Sequence, residues 1–354
     1  MIRLQGHPPV SKTFKRLADA KSWAQETELS LRRGEYGPAD SKAKNRTLHD
    51  AIEKYQAEVL SQKAPSSQRI EATYLRFWRA ELGNYALSVL SPEIISKKMA
   101  VLNESGDRRS TKTKSAAKPK SRKTIKLYRD NLELILKHAQ SWGWLGKANP
   151  MDGVTRITKA NKERVRFLDD DERKALLEAC KESPNPQLYP IVLFALCTGA
   201  RLNEILKLSV KDLDLIRQVA ILRETKNKET RKVPIVSFLK KALEQHLKWH
   251  EEWVADMPSG TRYLFPRRDG MAPIDIRKAW ENARDNAGII DFRFHDLRHS
   301  AASYLAMNGA SQLEIAEVLG HKTLQMVKRY SHLSEDHTRS VVEKMAGKIF
   351  EDDK

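Results

Sequence analysis

Cysteine is nearly absent: Cys180 and Cys197 are the two in 354 residues, and both fall within apolar stretches of helical spacing. Two such positions make no disulfide framework of the kind that stabilises small secreted domains, and they fit a reducing compartment. Long apolar runs are missing too. No uninterrupted stretch approaches the roughly 20 residues that a spanning helix needs. Residues 1–17 lack the apolar segment and small-residue cleavage site of a secretory signal. No glycine-rich phosphate loop or dinucleotide fingerprint occurs, so nucleotide use is not implied. Acid is scarce relative to base: 46 Asp+Glu stand against 64 Lys+Arg, a formal net charge of +18. That excess concentrates polyanions around the protein and points to nucleic acid, although charge alone would also suit an anionic membrane surface. The expectation is a soluble, basic, cytoplasmic protein without a membrane partner.

The 354 residues, 40% of them apolar, are too many for one core and enough to fill two or three. Residues 1–14 alternate weakly around Pro8-Pro9 and read as two short strands. Leu17, Ala20, Trp23, Ala24 and Leu29 then recur at helical spacing to about residue 33. Residues 34–45 are polar and turn-rich, a linker. Thr47 followed by Asp50 opens a helix that runs through residue 60, and another covers residues 68–82. A third starts at Ser91-Pro92-Glu93, where serine caps, proline fits the first helical position and glutamate meets the positive dipole end. Gly106 ends it. A last helix over residues 126–142 is expected to bury Leu127, Tyr128, Leu132, Leu134, Ile135 and Ala139. The intervening stretch carries Arg108, Arg109, Lys112, Lys114, Lys118, Lys120, Arg122, Lys123 and Lys126 against one acid. It reads either as a solvated, self-repelling loop or as an arm that neutralises phosphates, and the overall charge favours the arm.

After the basic residues 159–166, Asp169 and Glu172 form another capping pattern and lead a helix to Cys180. Residues 189–208 are apolar at helical spacing but interrupted by Thr198-Gly199-Ala200. Residues 219–222 and 232–235 read as two strands of a hairpin with its tip near Lys226–Lys228. Long helices follow at residues 236–255 and 275–287. His246 and His250 stand four apart, but no third ligand at metal-site spacing accompanies them, so solvated helix residues explain them better than a metal site.

Reactive side chains concentrate near the C-terminal end. His295-Asp-Leu-Arg298-His299 precedes a helical pattern that stops at Asn308-Gly309, and His295 and Arg298, three apart, share a face. Ser311 and Glu314 form a capping box, and Gly320 is placed to terminate that helix in a left-handed conformation, so that His321 leaves a rigid turn. Tyr330 follows inside Lys328-Arg329-Tyr330-Ser331-His332, while Tyr304 falls within a helical pattern and reads as core. Upstream, Arg201 stands where the second of two helices begins, with Glu204 one turn on. One such residue would be unremarkable, but two histidines, an arginine and a tyrosine at element boundaries favour a site over an ordinary pair of amphipathic helices. Residues 334–349 look helical, with Val341, Val342, Met345 and Ile349 on an apolar stripe.

Thr198-Gly-Ala-Arg201-x-x-Glu204, Lys226, His295-x-x-Arg298-His299, Leu319-Gly-His321 and Tyr330 resemble, in order and spacing, the motifs of the tyrosine recombinases (the phage integrase-like family). The resemblance implies a multidomain, mainly α protein with three parts. These are a small α+β arm-binding domain at residues 1–40, expected to lack one strand of its sheet; a helical core-binding domain at residues 46–155; and a mixed α/β catalytic domain at residues 163–354. It implies a site-specific recombinase of prophage or genomic-island type, acting without metal, ATP or other cofactor. Arg201 and Arg298 would clamp the nonbridging phosphate oxygens, with two bidentate guanidiniums suiting the charge of the transition state. Tyr330 would attack phosphorus to form a 3′-phosphotyrosyl bond. An ordinary phenol is only about one-thousandth ionised near neutral pH, so a base is needed, and His295 is the candidate. Lys226 would protonate the leaving 5′-oxygen, His321 would bond the scissile phosphate, and Glu204 and His299 would support these groups. The expected partners are double-stranded attachment sites, further copies in a tetramer on DNA, a host DNA-bending protein and a directionality factor. The C-terminal helix would pack on its own domain or dock on a neighbour. A type IB topoisomerase and a non-catalytic, sequence-specific DNA-binding regulator are the alternatives; the arm domain speaks against the first and the coexistence of the site residues against the second.

Overall fold

The computed structural model describes residues 1–2, 11, 13–32, 46–104, 119–158, 166–223, 230–255 and 260–350. Two compact units divide the chain, Met1–Lys162 and Glu163–Lys354. The strands expected within residues 1–14 and the linker at 34–45 fall almost wholly outside the described residues, as do Arg108, Arg109, Lys112, Lys114 and Lys118.

Helices build the first unit. α1 (Leu17–Arg32) comes first, with the Trp23 ring 5.3 Å from that of Phe14. α2 (Leu48–Glu58), α3 (Pro65–Leu82), α4 (Pro92–Glu104) and α5 (Arg122–Ser141) then share one core. The capping box at the start of α2 is as the sequence foretells: the Thr47 hydroxyl accepts from the Asp50 amide, and the Asp50 carboxylate accepts from the Thr47 amide at 2.8 Å. Leu48, Ala51, Ile52 and Tyr55, at helical spacing, form its buried face. Trp78 of α3 is fully buried, and its indole N–H donates to the Tyr128 carbonyl at 2.9 Å, tying α3 to α5.

α5 departs from expectation in two ways. Ser121 caps it by accepting from the Thr124 amide, so the helix begins at Arg122 rather than near residue 126. Arg122 and Lys123 are therefore exposed residues of a helical first turn rather than parts of a loop. Leu127 and Leu134 are 42% and 36% exposed, contrary to expectation. The buried face is set by Ile125, Tyr128, Leu132, Ile135, Leu136 and Ala139. Two residues beyond Ile125 is about 200° around the helix, which turns Leu127 away from the core.

The second unit runs α6 (Asp170–Lys181), α7 (Leu188–Thr198), α8 (Leu202–Leu206), β1 (Leu213–Asp214), β2 (Val219–Leu222), β3 (Arg231–Pro234), α9 (Ser237–Ala255), α10 (Arg277–Asn286), α11 (Asp296–Met307) and α12 (Gln312–Leu319). A 3-10 segment, Lys328–Ser334, and α13 (Glu335–Phe350) complete it. α7 is apolar all round and accordingly central, packed by α6, α9 and α11. The sheet is antiparallel in the order β1-β2-β3, with Ala220 opposite both Leu213 and Val233. β1 has two residues, too few to alternate, which is why the sequence does not announce it. Tyr304 is half-buried against the main core, and its hydroxyl donates to the Leu168 carbonyl at 2.9 Å. Among the described residues, no helix is long and apolar enough to cross a membrane, and no group of three or more His, Cys, Asp or Glu is placed to hold a metal ion.

His246 and His250 are not solvated: they are 4% and 6% exposed, and their Nε2 atoms lie 2.9 Å from the Leu264 and Tyr263 carbonyls. The two imidazoles anchor α9 to the chain that follows it. Burial pushes the His246 ring down to about 4, against the opposing pull of the Leu264 carbonyl. A histidine whose folded pKa lies below its unfolded value resists protonation only when folded, so stability is intact above about pH 6.5 and falls as pH drops toward 4. His246→Gln keeps a donor for the carbonyl and removes the titration. Its unfolding midpoint should therefore fall by roughly 5 °C less than that of the unaltered protein between those pH values, measured by scanning calorimetry.

Candidate functional site

The turn Thr198-Gly199-Ala200 starts the site. α7 ends at Gly199, which adopts a left-handed conformation (φ +61°), and a Cβ there would lie 2.2 Å from Leu319 Cδ2. The Thr198 hydroxyl donates to the Phe194 carbonyl and accepts from the Ala200 amide, which fixes the turn. The chain then enters α8 with Arg201 as its N-cap. Glu204, one turn on and 6% exposed, accepts from the Arg201 amide at 3.1 Å and from its guanidinium at 2.7 Å. The same carboxylate accepts from Arg231 Nη2 at 3.0 Å. Burial pushes the Glu204 carboxyl up, but the Arg201 amide and the two guanidiniums outweigh it and hold it below the usual range.

Arg298, on the first turn of α11, is 4% exposed and donates through Nη1 to the Gly199 carbonyl at 2.7 Å. Its Nη2 is buried with no hydrogen-bond partner among the described residues. Burial, then the charges of Arg201 and Arg231, lower this guanidinium to about 9. His321 leaves the turn capped by Gly320 (φ +65°), its amide bonded to the Ala316 carbonyl, and its Nδ1 is likewise buried and unpartnered. Burial and then Arg298, Arg201, Arg329 and Arg231 lower it to about 4. The site is thus a pocket of positive charge with one carboxylate threaded through it.

Tyr330 lies in the 3-10 segment, 2% exposed, within the small apolar cluster of Ala302, Ala306, Ile315, Ala316, Leu319 and Val327. Its hydroxyl is 2.5 Å from Nδ1 of His299. The imidazole in contact with the Tyr330 hydroxyl is thus that of His299, one helical turn after His295, the partner proposed from the sequence. His295 precedes α11, and its ring, lowered by desolvation and then by Arg298 and Arg201, stands perpendicular to that of His299 at 5.5 Å. His299 lies about one helical turn, roughly 6 Å, further along the chain direction than His295, level with the Tyr330 hydroxyl.

Arg201, Glu204, His295, Arg298, His299, His321 and Tyr330 are accordingly brought together, whereas Lys226 lies outside the described residues. Two members went unnoticed in the sequence. Arg231 opens β3, and besides Glu204 it donates to the Val318 carbonyl, reaching from the sheet to the end of α12. Arg329, adjacent to Tyr330, acts electrostatically on all three site imidazoles. The signal for both was a basic residue next to a motif position, which a chain this rich in base offers in many places.

Residues 166–337 match the phage integrase family. The integrase of Salmonella phage P22 is 32% identical over 216 residues, covering 58% of this chain and 53% of that protein. The shufflon-specific DNA recombinase of Escherichia coli is 32% identical over 218 residues, covering 61% of this chain and 52% of that protein. The chain thus spans about half the length of the curated relatives it matches. In fold it is similar to the Tn1549 transposon integrase solved with transposon right end DNA, at a TM-score of 0.65 and 17% identity over 85% of this chain and all of that one. On this helical scaffold a half-buried Arg201 and a buried Arg298 stand near a tyrosine hydrogen-bonded to an imidazole. Residues 166–337 are thus a domain of the phage integrase family.

Because the cations repel one another, an anion among them should stabilise the fold. Inorganic phosphate at millimolar concentration should raise the unfolding midpoint of the C-terminal unit more in the unaltered protein than in Arg298→Met. The midpoint shift common to both variants measures the general effect of the salt.

Proposed function

We propose that this protein is a site-specific DNA recombinase that integrates or excises a mobile element through a 3′-phosphotyrosyl intermediate. The observation that carries the reading is the buried, unpartnered Nη2 of Arg298, beside the unpartnered Nδ1 of His321 and near a tyrosine bonded to an imidazole. Buried donors without partners are costly, and a nonbridging phosphate oxygen satisfies them.

In this reading Arg201 and Arg298 bind the nonbridging oxygens and stabilise the charge that builds there during attack. His321 donates to the same phosphate, and His295, whose ring feels both arginines, contacts it from the start of α11. Glu204 keeps Arg201 and Arg231 in place. Tyr330 attacks phosphorus, its phenolic proton passes to an imidazole, and Lys226, on the hairpin between β2 and β3, protonates the departing 5′-oxygen. Because the phosphotyrosyl bond conserves the energy of the phosphodiester, a 5′-hydroxyl can reverse the step without ATP or metal.

The wider expectations belong to the same proposal: residues 1–40 bind arm-type DNA sites, residues 46–155 bind the core site, and residues 163–354 do the chemistry. Arg108, Arg109, Lys112, Lys114, Lys118, Lys120, Arg122 and Lys123 contact phosphates, and the exposure of Arg122 and Lys123 on the first turn of α5 supports this. Four copies assemble on paired sites in the cytoplasm, with a DNA-bending protein and a directionality factor as accessories. The apolar stripe of α13, with Val341, Val342, Met345 and Ile349 all between 46% and 60% exposed, supports self-association.

A suicide substrate, nicked near the cleavage position and drawn from the ends of the element that encodes the protein, tests the reading. Denaturing electrophoresis should show a slowly migrating protein–DNA adduct that is absent with Tyr330→Phe. DNA binding with no adduct at any candidate site would sink the assignment.

A further inference from the structure

The imidazoles of His295 and His299 are four residues apart. Arg298 and then Arg201 are the largest charges acting on His295, whereas the largest acting on His299 is His295. Nδ1 of His299 lies 2.5 Å from the Tyr330 hydroxyl. Resting on the recombinase reading, we propose that His299, rather than His295, is the catalytic base that takes the phenolic proton of Tyr330.

The step balances together with the acid of the recombinase reading. The Oη–H bond of Tyr330 breaks and its proton passes to Nδ1 of His299. A lone pair on Oη forms the bond to phosphorus, the bond from phosphorus to the 5′-oxygen breaks, and that oxygen takes a proton from Lys226. On rejoining, the 5′-hydroxyl returns its proton to Lys226 as it attacks, and the imidazolium returns the other as Tyr330 departs.

Three features of the surroundings argue for a base in direct contact. Tyr330 is sealed in an apolar cluster, where a free phenolate would be poorly solvated, so the proton has to leave to a touching acceptor as the oxygen attacks. The acceptor is held by the helix itself, between the buried Arg298 and the buried Ser300, whose hydroxyl donates to the Asp296 carbonyl. The charged groups facing His299 are His295, Asp296 and Arg298 from α11, and Arg329 and Tyr330 from the 3-10 segment. Burial and then His295 hold the ring down to about 4, with Arg329 and Arg298 adding to the effect against Asp296. The imidazole is therefore neutral, with a lone pair to offer, throughout the physiological range. A phosphodiester seated on the guanidiniums offsets that positive field and raises the proton affinity of the ring when the reaction begins. The substrate thereby strengthens its own base.

With the O–H as donor, Nδ1 is the acceptor, so the ring proton sits on Nε2. Nitrogen-15 NMR of the histidine-labelled, full-length protein reads this without any substitution, and a proton found on Nδ1 of His299 would overturn the proposal. Single-turnover cleavage of the suicide substrate supplies the functional arm. His299→Gln should slow adduct formation by about 100-fold, and its rate should rise tenfold per pH unit where the unaltered protein is flat. Added imidazole should restore His299→Ala, and difluorotyrosine at position 330, a more acidic phenol, should restore His299→Gln. DNA affinity of these variants should stay within a few-fold of the unaltered protein, since no phosphate contact is removed. If His295→Gln, and not His299→Gln, acquires the sloping pH profile and the rescue by difluorotyrosine, the proposal is wrong while the recombinase reading stands. If the unaltered protein forms no Tyr330-dependent adduct, both fall.

Discussion

Like-charge repulsion is the force that the C-terminal unit has to contain. Arg201, Arg231 and Arg298 gather in one space, where burial and then the charges of Arg201 and Arg231 lower the Arg298 guanidinium, and Glu204 alone cannot neutralise all three. The remainder is taken up by backbone. Arg298 donates to the carbonyl of Gly199, where α7 ends, and Arg231 to that of Val318, in the last turn of α12. Helix C-termini carry unpaired carbonyls and partial negative charge, so two helix ends act as counter-charges without adding a carboxylate that would compete with a phosphate. The arrangement explains why the helices must stop where they do, and why left-handed glycines stand at both stops.

A site built this way is under electrostatic strain until an anion enters. The unpartnered Nη2 of Arg298 expresses the same condition in hydrogen bonds: a donor is in place before there is anything to receive it. Preorganisation of this kind lowers the barrier because the protein does not have to reorient as charge develops on phosphorus. Its cost is borne by the surrounding core, where α7, apolar on every side, is packed by three other helices.

Much of this was readable in the sequence because local chemistry dictates it. Thr47-x-x-Asp50, Asp169-x-x-Glu172 and Ser311-x-x-Glu314 are capping boxes in the structure, and Gly320 terminates its helix as its position implied. What escaped depends on three-dimensional phase or on long-range contact. Leu127 and Leu134 of α5 lie off the face defined by Ile125, Tyr128, Leu132, Ile135, Leu136 and Ala139, a phase that an apolar pattern this full leaves open. His246 and His250 looked polar and therefore exposed, until carbonyls 18 and 13 residues away supplied their partners. Arg231 reached the site by pairing with residues 27 and 87 positions distant, a separation that no local pattern reports. For the tyrosine, two histidines one turn apart were both available, and which of them meets its hydroxyl depends on a contact 31 residues away in sequence.

The near-contact of Gly199 with Leu319 ties together two motifs that are 120 positions apart in the chain. A methyl group added at Gly199 would overlap a δ-carbon of Leu319, itself wholly buried. Gly199 is thus held to glycine twice over: its left-handed backbone strains any side chain, and Leu319 occupies the place a Cβ would take, so shrinking residue 319 removes only the second obstacle. Variation at the arginine-bearing turn is barred both by its own backbone and by a leucine beside the histidine-bearing one.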